Sequence, residues 1–493
     1  MLKRLEFIKR NSWYTELILV LVICSIPLCI GLSNKSIEVW DESRNACNAL
    51  AMYQNHNFVV RYFNGSPDMW EVKPPLLIWT QVLSFKLFGI SELSLRIPIL
   101  TAILFLLLFI IYFFRKEFNL IFVGCFACLI LASSNGVIDR HIGRTGDHEG
   151  VLLLWLMLAF FYFYRYTQTM KGRYLLIVCL FLILSVLTKS IISLMFLPGF
   201  FIFALYKRLL RNIIKSPYFY VGIGAFVVVA AVYYYLREKY SPGYLHEVWK
   251  EEIARYVNKE PGHRTAEFWY YWNNFLDFRF IPWIYFLPLS IPGYFLIKNK
   301  KLKDFLVFTF ICCISIFLII SKGCKNLWYD APLYPLMAIM ISLGFWGIFD
   351  FFLRKRLSKV TYKVVFYLIV VAVSFIPYKK CVARSIDDVA YHKTLNEYSI
   401  PYYLKEHVTI NTMPENLSIG YTGYNAHILY YTELFRYKYN KKLEIVSPYQ
   451  LKQNDITIIC EQGVKDSVQK IYNYEKVDSF LFSKIIRIID RKQ

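Results

Sequence analysis

Charge is scarce in this sequence, and negative charge scarcest: Asp and Glu number 35 against 57 Lys and Arg, and charged residues make up only 19% of the 493 positions. With 57% hydrophobic and 18% aromatic residues, that is too little charge to clothe a soluble globular chain of this size. Of the 11 cysteines, the four outside the predicted spans, Cys47, Cys324, Cys381 and Cys460, have no metal-type spacing among them. The others, such as Cys24, Cys125, Cys128 and Cys312, lie inside apolar runs as small hydrophobes, so no disulfide framework is implied. No A-x-A-like cleavage pattern follows the first apolar stretch, Leu17 to Leu32, which reads as a retained span and not a signal peptide. Inverted repeats with midplane ion sites, the mark of a transporter or flippase, are not visible either.

Long apolar runs are what the sequence has in abundance. They predict a polytopic α-helical membrane protein with about eleven spans, near 13–33, 93–114, 118–138, 149–168, 174–188, 190–206, 218–236, 279–297, 303–321, 331–352 and 361–378. The join at Thr188-Lys189-Ser190 predicts a short re-entering hairpin. The formal charge of +22 would suit nucleic acid, but the Lys and Arg residues cluster in every second hinge between spans. The positive-inside rule then places the N-terminus in the cytoplasm and leaves no nucleic-acid partner to propose. Three extracytoplasmic loops follow, at 34–92, 139–149 and 237–278, within a membrane domain of residues 1–378. From 379 to 493 the spans stop. Leu417–Tyr421, Lys442–Val446 and Ile456–Cys460 read as strands and Tyr424–Phe435 as a helix, predicting a small extracytoplasmic α/β domain.

Several polar residues in those loops admit two readings. Asp41 opens a helix-compatible stretch, 40–53, and is either an N-cap with Arg44 as salt-bridge partner or a base that takes a hydroxyl proton. Lys73 precedes Pro74-Pro75, which favour a helix start, so it is either a solvated turn residue or half of a phosphate site. Arg144 suits a phosphate clamp or lipid headgroups, and Asp147 a helix N-cap or a functional carboxylate. Lys189, between two apolar runs, must face a polar cavity or snorkel.

Taken in order, Asp41-Glu42-x-Arg44, Lys73-Pro74-Pro75-Leu76, Leu95-Arg96-Ile97-Pro98, Arg144-Thr145-Gly146-Asp147, Leu187-Thr188-Lys189, Glu251-Glu252-Ile253-Ala254-Arg255-Tyr256 with His263, and Lys325-Asn326-Leu327-Trp328-Tyr329 carry a resemblance. Each motif is weak alone, but their collinearity over the membrane part is specific. The chain resembles the bacterial aminoarabinose transferases that modify lipid A, and equally the wider protein O-mannosyltransferase-like family of class C glycosyltransferases. The resemblance implies Asp41 as general base. It implies Lys73 and basic residues of the other loops around a carrier phosphate, for which Arg44, Arg144, Lys189, Arg255 and Lys325 are the candidates; Glu71, Asp147, Glu251 and His263 are further candidates for the substrate site. The implied donor is a polyprenyl-phosphate sugar, and the acceptor a lipid, glycan or protein at the outer face of the bacterial inner membrane. A ligase moving a preassembled glycan is the rival within enzymes. Two departures stand out: Val72 abuts the lysine where the family has a carboxylate, with Glu71 one residue earlier, and Glu252 replaces a loop histidine. No dissociable cofactor is required. Glu71 and Glu252 are carboxylates suited to a hard cation, and metal dependence stays open.

Overall fold

The computed structural model describes residues 2–254, 267–410, 414 and 416–492, with side chains from residue 13 onward except at 408–410. The chain is a multi-pass α-helical membrane protein with a small C-terminal sheet. Among the described residues, seven helices are long and apolar enough to cross a membrane: Glu92–Phe118, His148–Thr169, Arg173–Leu194, Pro217–Tyr240, Lys300–Lys322, Leu327–Leu353 and Lys359–Lys393. Five more, Trp13–Cys29, Leu76–Phe88, Ile121–Ala132, Leu197–Tyr206 and Trp283–Leu296, are apolar but shorter.

The shorter helices have local causes. The run expected at 118–138 stops as a helix at Ala132, because the Ser133 and Ser134 hydroxyls bond back to the carbonyls of Leu129 and Ile130. The run expected at 279–297 contains a tight 3₁₀ helix, Trp283–Leu289, capped by Pro282 and containing Pro288, whose missing donors break the α-helical ladder. At the expected hairpin, Arg173–Lys189 packs on His148–Thr169 and Pro217–Tyr240, whereas Leu197–Tyr206 packs on Lys300–Lys322. The two segments find their main neighbours elsewhere, not in each other. Ser190 between them has φ 54°, a conformation that ends the first helix abruptly.

The chain divides into two compact units whose borders do not follow a cut at 378/379. The larger comprises Met1–Ile30, Met69–Leu77 and Pro98–Ala383. Its core is rich in stacked aromatics, as in Phe160 on Phe308 at 4.5 Å and Phe163 on Phe200 at 4.4 Å. Backbones touch where Gly293 meets Gly344: a Cβ at Gly293 would lie 2.5 Å from the Gly344 Cα.

The smaller unit comprises Gly31–Asp68, Ile78–Ile97 and Arg384–Gln493. It holds a hairpin of β1 (Tyr62–Phe63) and β2 (Ser66–Pro67), and a sheet of β3 (Leu417–Gly420), β4 (Glu444–Val446), β5 (Ile456–Ile459), β6 (Tyr472–Phe480) and β7 (Ser483–Arg491). The sheet order is β4-β3-β5-β7-β6. The first three strands are parallel and the last two antiparallel. The expected strands at 417–421, 442–446 and 456–460 are all present, and helix Ala426–Tyr439 lies where Tyr424–Phe435 was expected. One core joins Ala46, Leu50, Val82 and Phe85 from the first loop region to Ile419, Leu434 and Ile458 of the C-terminal segment.

Candidate functional site

Asp41 begins helix Asp41–Asn55 in the smaller unit and is partly exposed. The residue before it, Trp40, has φ 76° and ψ −116°, an unfavourable conformation for a bulky side chain that costs on the order of 1–3 kcal/mol. The surroundings enforce it from both sides. The Trp40 indole stacks on Tyr424 at 4.5 Å and 9°, and the Tyr424 hydroxyl donates to the Trp40 carbonyl at 3.3 Å. Upstream, the Val39 amide donates to the Tyr398 hydroxyl at 3.3 Å, and that hydroxyl donates to Glu38 Oε2 at 2.7 Å. Downstream, Glu42 accepts the Glu38 amide at 2.8 Å and both Arg96 Nε and Nη2 at 2.7 and 2.8 Å. The chain is thus clamped around Asp41 and Glu42, two carboxylates at the positive end of a helix dipole, where an anion is favoured.

Asp41 is not the N-cap of its helix, contrary to one reading of the sequence. Trp40, not Asp41, holds the N-cap position, and Arg44 takes its carboxylate from Asp68, through Nε at 2.9 Å and Nη2 at 2.6 Å. Asn48 Nδ2 donates to the same Asp68 at 3.0 Å, and the Arg44 guanidinium lies 4.3 Å from the Phe63 ring. Asp68, 24 positions after Arg44, was not visible to a search for partners at helical spacing.

In the larger unit Lys73 Nζ donates to both oxygens of the buried Glu71 at 2.9 and 3.0 Å. Pro74 and Pro75 do precede a helix start, at Leu76, and the Val72 carbonyl accepts the Tyr244 hydroxyl at 2.6 Å. Lys189 is buried and ion-paired to Glu149, with its ammonium 4.9 Å from the Tyr329 ring centroid, so it does not snorkel. Arg144 directs Nη1 to the Pro27 carbonyl at 2.8 Å and Nη2 to that of Ile30 at 2.9 Å, closing the open end of the first helix. Lys325 does the same for Lys300–Lys322, bonding the carbonyls of Ser321 and Gly323 at 2.7 and 2.8 Å. Asp147 occupies the N-cap position of His148–Thr169, but its side chain accepts Thr145 Oγ1 at 2.9 Å and contacts His141 Nδ1 at 2.9 Å.

Lys73 and Lys189 therefore carry charges already offset by carboxylates, while Lys325 bonds neutral carbonyls among the described residues. Glu251 is partly exposed and Glu252 buried in a wide π-type turn, Trp249–Ala254. Arg255 and His263 lie outside the described residues. Among the described residues no three His, Cys, Asp or Glu side chains are grouped to hold a metal ion. Sequence reasoning missed the roles of Glu149, His141 and the buried Arg279–Asp330 pair, whose Nε–Oδ2 distance is 2.7 Å. Its signal was available: opposite charges at span ends must find partners.

A model of the dolichyl-phosphate-mannose-protein mannosyltransferase family matches residues 72–235. Across 97% of this chain and 98% of the other, the structure superposes on ArnT from Cupriavidus metallidurans bound to undecaprenyl phosphate, with a TM-score of 0.69 at 14% identity. The chain has the fold of ArnT. The archaeal oligosaccharyltransferase AglB from Archaeoglobus fulgidus is a more distant likeness, with a TM-score of 0.51 and 12% identity over 99% of this chain and 77% of that one. By sequence, the chain is 24% identical over 353 residues to an uncharacterized protein of Aquifex aeolicus. It is 26% identical over 351 residues to an undecaprenyl phosphate-alpha-4-amino-4-deoxy-L-arabinose arabinosyl transferase of Proteus mirabilis. The matches cover 70% and 68% of this chain but only 65% and 59% of those relatives.

Proposed function

We propose that this chain is a membrane glycosyltransferase that moves one sugar from a polyprenyl-phosphate carrier to an acceptor outside the cytoplasm. The observation that carries the proposal is the placement of Asp41: a partly exposed carboxylate at a helix start, behind a Trp40 held at positive φ, in a chain of ArnT fold. In the reaction, an acceptor hydroxyl gives its proton to the Asp41 carboxylate as its oxygen bonds to the sugar's C1. The bond from C1 to the phosphate oxygen breaks on the opposite side, inverting the centre and releasing polyprenyl phosphate. The leaving group gains negative charge, and cations are the chemistry that stabilises it. Arg44, Lys73, Arg144, Lys189, Arg255 and Lys325 are the residues assigned to that task. Lys73 and Lys189 reach phosphate by exchanging one anionic partner for another, whereas Lys325 exchanges only carbonyls.

The reaction needs no nucleotide or dissociable cofactor, and the transfer rate before and after chelation tells whether carboxylates such as Glu71 and Glu252 hold a divalent cation. The setting proposed is the bacterial inner membrane, with lipid A, another envelope glycan or protein as acceptor. Asp41→Asn keeps the shape of the side chain but removes its basicity. Purified at matched yield, this variant is expected to transfer sugar about 10²–10⁴-fold more slowly than the parent. An Asn variant of parental activity would remove Asp41 from the chemistry. A mass gain of one sugar on the acceptor separates this reaction from transfer of a preassembled glycan.

A further inference from the structure

Helix Asp41–Asn55 ends far from its reactive start: Asp41 and Gln54 lie about 20 Å apart along the axis. At that far end a cleft of about 590 Å³ opens within the smaller unit, between this helix, the β1–β2 hairpin and helix Ala426–Tyr439. The volume is that of a small-molecule site. Its lining has an unusual composition. The apolar floor is formed by Leu50 and Leu429, and the walls carry neutral amides and a phenol: Gln54, Asn57, Asn64 and Tyr62. The two charged lining groups, Glu433 and Arg436, pair with each other at 3.0 Å and cancel.

The amides are placed by the local backbone. Asn57 Oδ1 accepts the amides of Val59 and Val60 at 3.1 and 2.9 Å, which aims its Nδ2 at the Tyr62 hydroxyl, 3.5 Å away. Asn64 and Gly65, with φ 49° and 77°, form the two-residue turn of the hairpin, the arrangement that Asn-Gly favours. Among the described residues, none is hydrogen-bonded to the side-chain amides of Gln54 and Asn64, which line the cleft. Each offers a donor and an acceptor side by side, the pattern that reads vicinal hydroxyls. A charge-cancelled wall of amides above an apolar floor fits a ligand with hydroxyls on its rim and C–H groups on its face, and is poorly matched to a phosphate or an acidic peptide.

We infer that this cleft binds a neutral saccharide, the distal glycosyl portion of the acceptor whose reactive hydroxyl is presented to Asp41. The inference rests on the transferase reading for the word acceptor, but binding itself does not. The test uses the full chain in nanodiscs, with saturation-transfer NMR against neutral di- and trisaccharides, their phosphorylated forms and an acidic peptide. Binding of a neutral saccharide that weakens about tenfold or more in Gln54→Ala/Asn64→Ala, but persists in Asp41→Asn, is the expected result. In transfer assays the same double variant should raise the acceptor KM with kcat little changed. Thermal unfolding at the parental temperature checks that both exposed replacements leave the fold intact. Neutral-saccharide binding that is absent, or unaffected by the double variant, overturns the inference. So does preferential binding of the phosphorylated forms or the peptide. If the saccharide binds as expected yet the parent transfers no sugar, the transferase reading fails and the cleft stands. If Asp41→Asn stops transfer while the double variant leaves acceptor KM unchanged, the cleft alone falls.

Discussion

Arg96 shows what the first loop region demands of single residues. Buried, it uses Nε and Nη2 on Glu42 and places its other donors on the carbonyls of Leu32, Lys35 and Ser36 at 2.8 to 2.9 Å. All five guanidinium donors are satisfied, which only arginine's fork permits. Breaking such a buried pair costs on the order of 3–5 kcal/mol. Glu42→Gln should therefore lower the unfolding temperature measurably, and Arg96→Met more, because it also strands three carbonyls. Equal unfolding temperatures for parent and both variants would mean the pair is not structural. Arg96 was visible in the sequence only through the resemblance of its motif, since Glu42 lies 54 positions away. The same limit hid Asp68 from Arg44 and Glu149 from Lys189: long-range ion pairs leave no periodic trace in a chain, whereas the helix start at Asp41 is a local pattern.

Among elements, legibility followed burial. The parallel strands β3 and β5 are apolar runs closed off by turn residues, and the sequence showed them. β6 and β7 did not register, because β6 is an edge strand carrying Glu475, Lys476 and Asp478, the charges that keep an edge from pairing further. Helix Ala426–Tyr439 carries a buried histidine with a consequence for pH. His427 Nε2 donates to the Glu397 carbonyl at 3.1 Å, and burial pushes its pKa down from 6.5 to about 4, with the nearby His392 adding to the effect. The unfolded chain binds a proton in that interval and the folded one does not, so this contribution to stability is full above pH 6.5 and is lost as pH falls toward about 4. Between pH 7 and 5 the unfolding temperature of the smaller unit should fall. His427→Gln, which cannot titrate, should flatten the profile, and an unchanged slope in that variant would exclude His427 as the cause.

For the whole molecule the expectation is one of sidedness. Basic hinges such as Lys207/Arg208/Arg211/Lys215 and Arg354/Arg356/Lys359/Lys363 alternate with the longer aromatic loops, and the positive-inside rule then sets residues 379–493 outside the cytoplasm. A fusion at Lys465 should give activity with a periplasmic reporter and none with a cytoplasmic one. The reverse result would overturn the count of crossings. Composition gave the membrane character and the small sheet, but not that residues 31–68 and 78–97 share a core with the C-terminal segment, because shared burial across such a sequence distance has no local signature.

That interleaving has a consequence for synthesis. The apolar faces of Ala46, Leu50, Val82 and Phe85 leave the ribosome early, and their partners Ile419, Leu434 and Ile458 only after residues 98–383 have been made, on the order of 15–60 s later at about 5–20 residues per second. During that wait the newborn loop region has half a core and, around Arg44 and Asp68, a finished ion pair. A chaperone or the translocation machinery must shelter the rest, and a stop codon anywhere before residue 384 strips the loop that bears Asp41 of the partners that complete its fold.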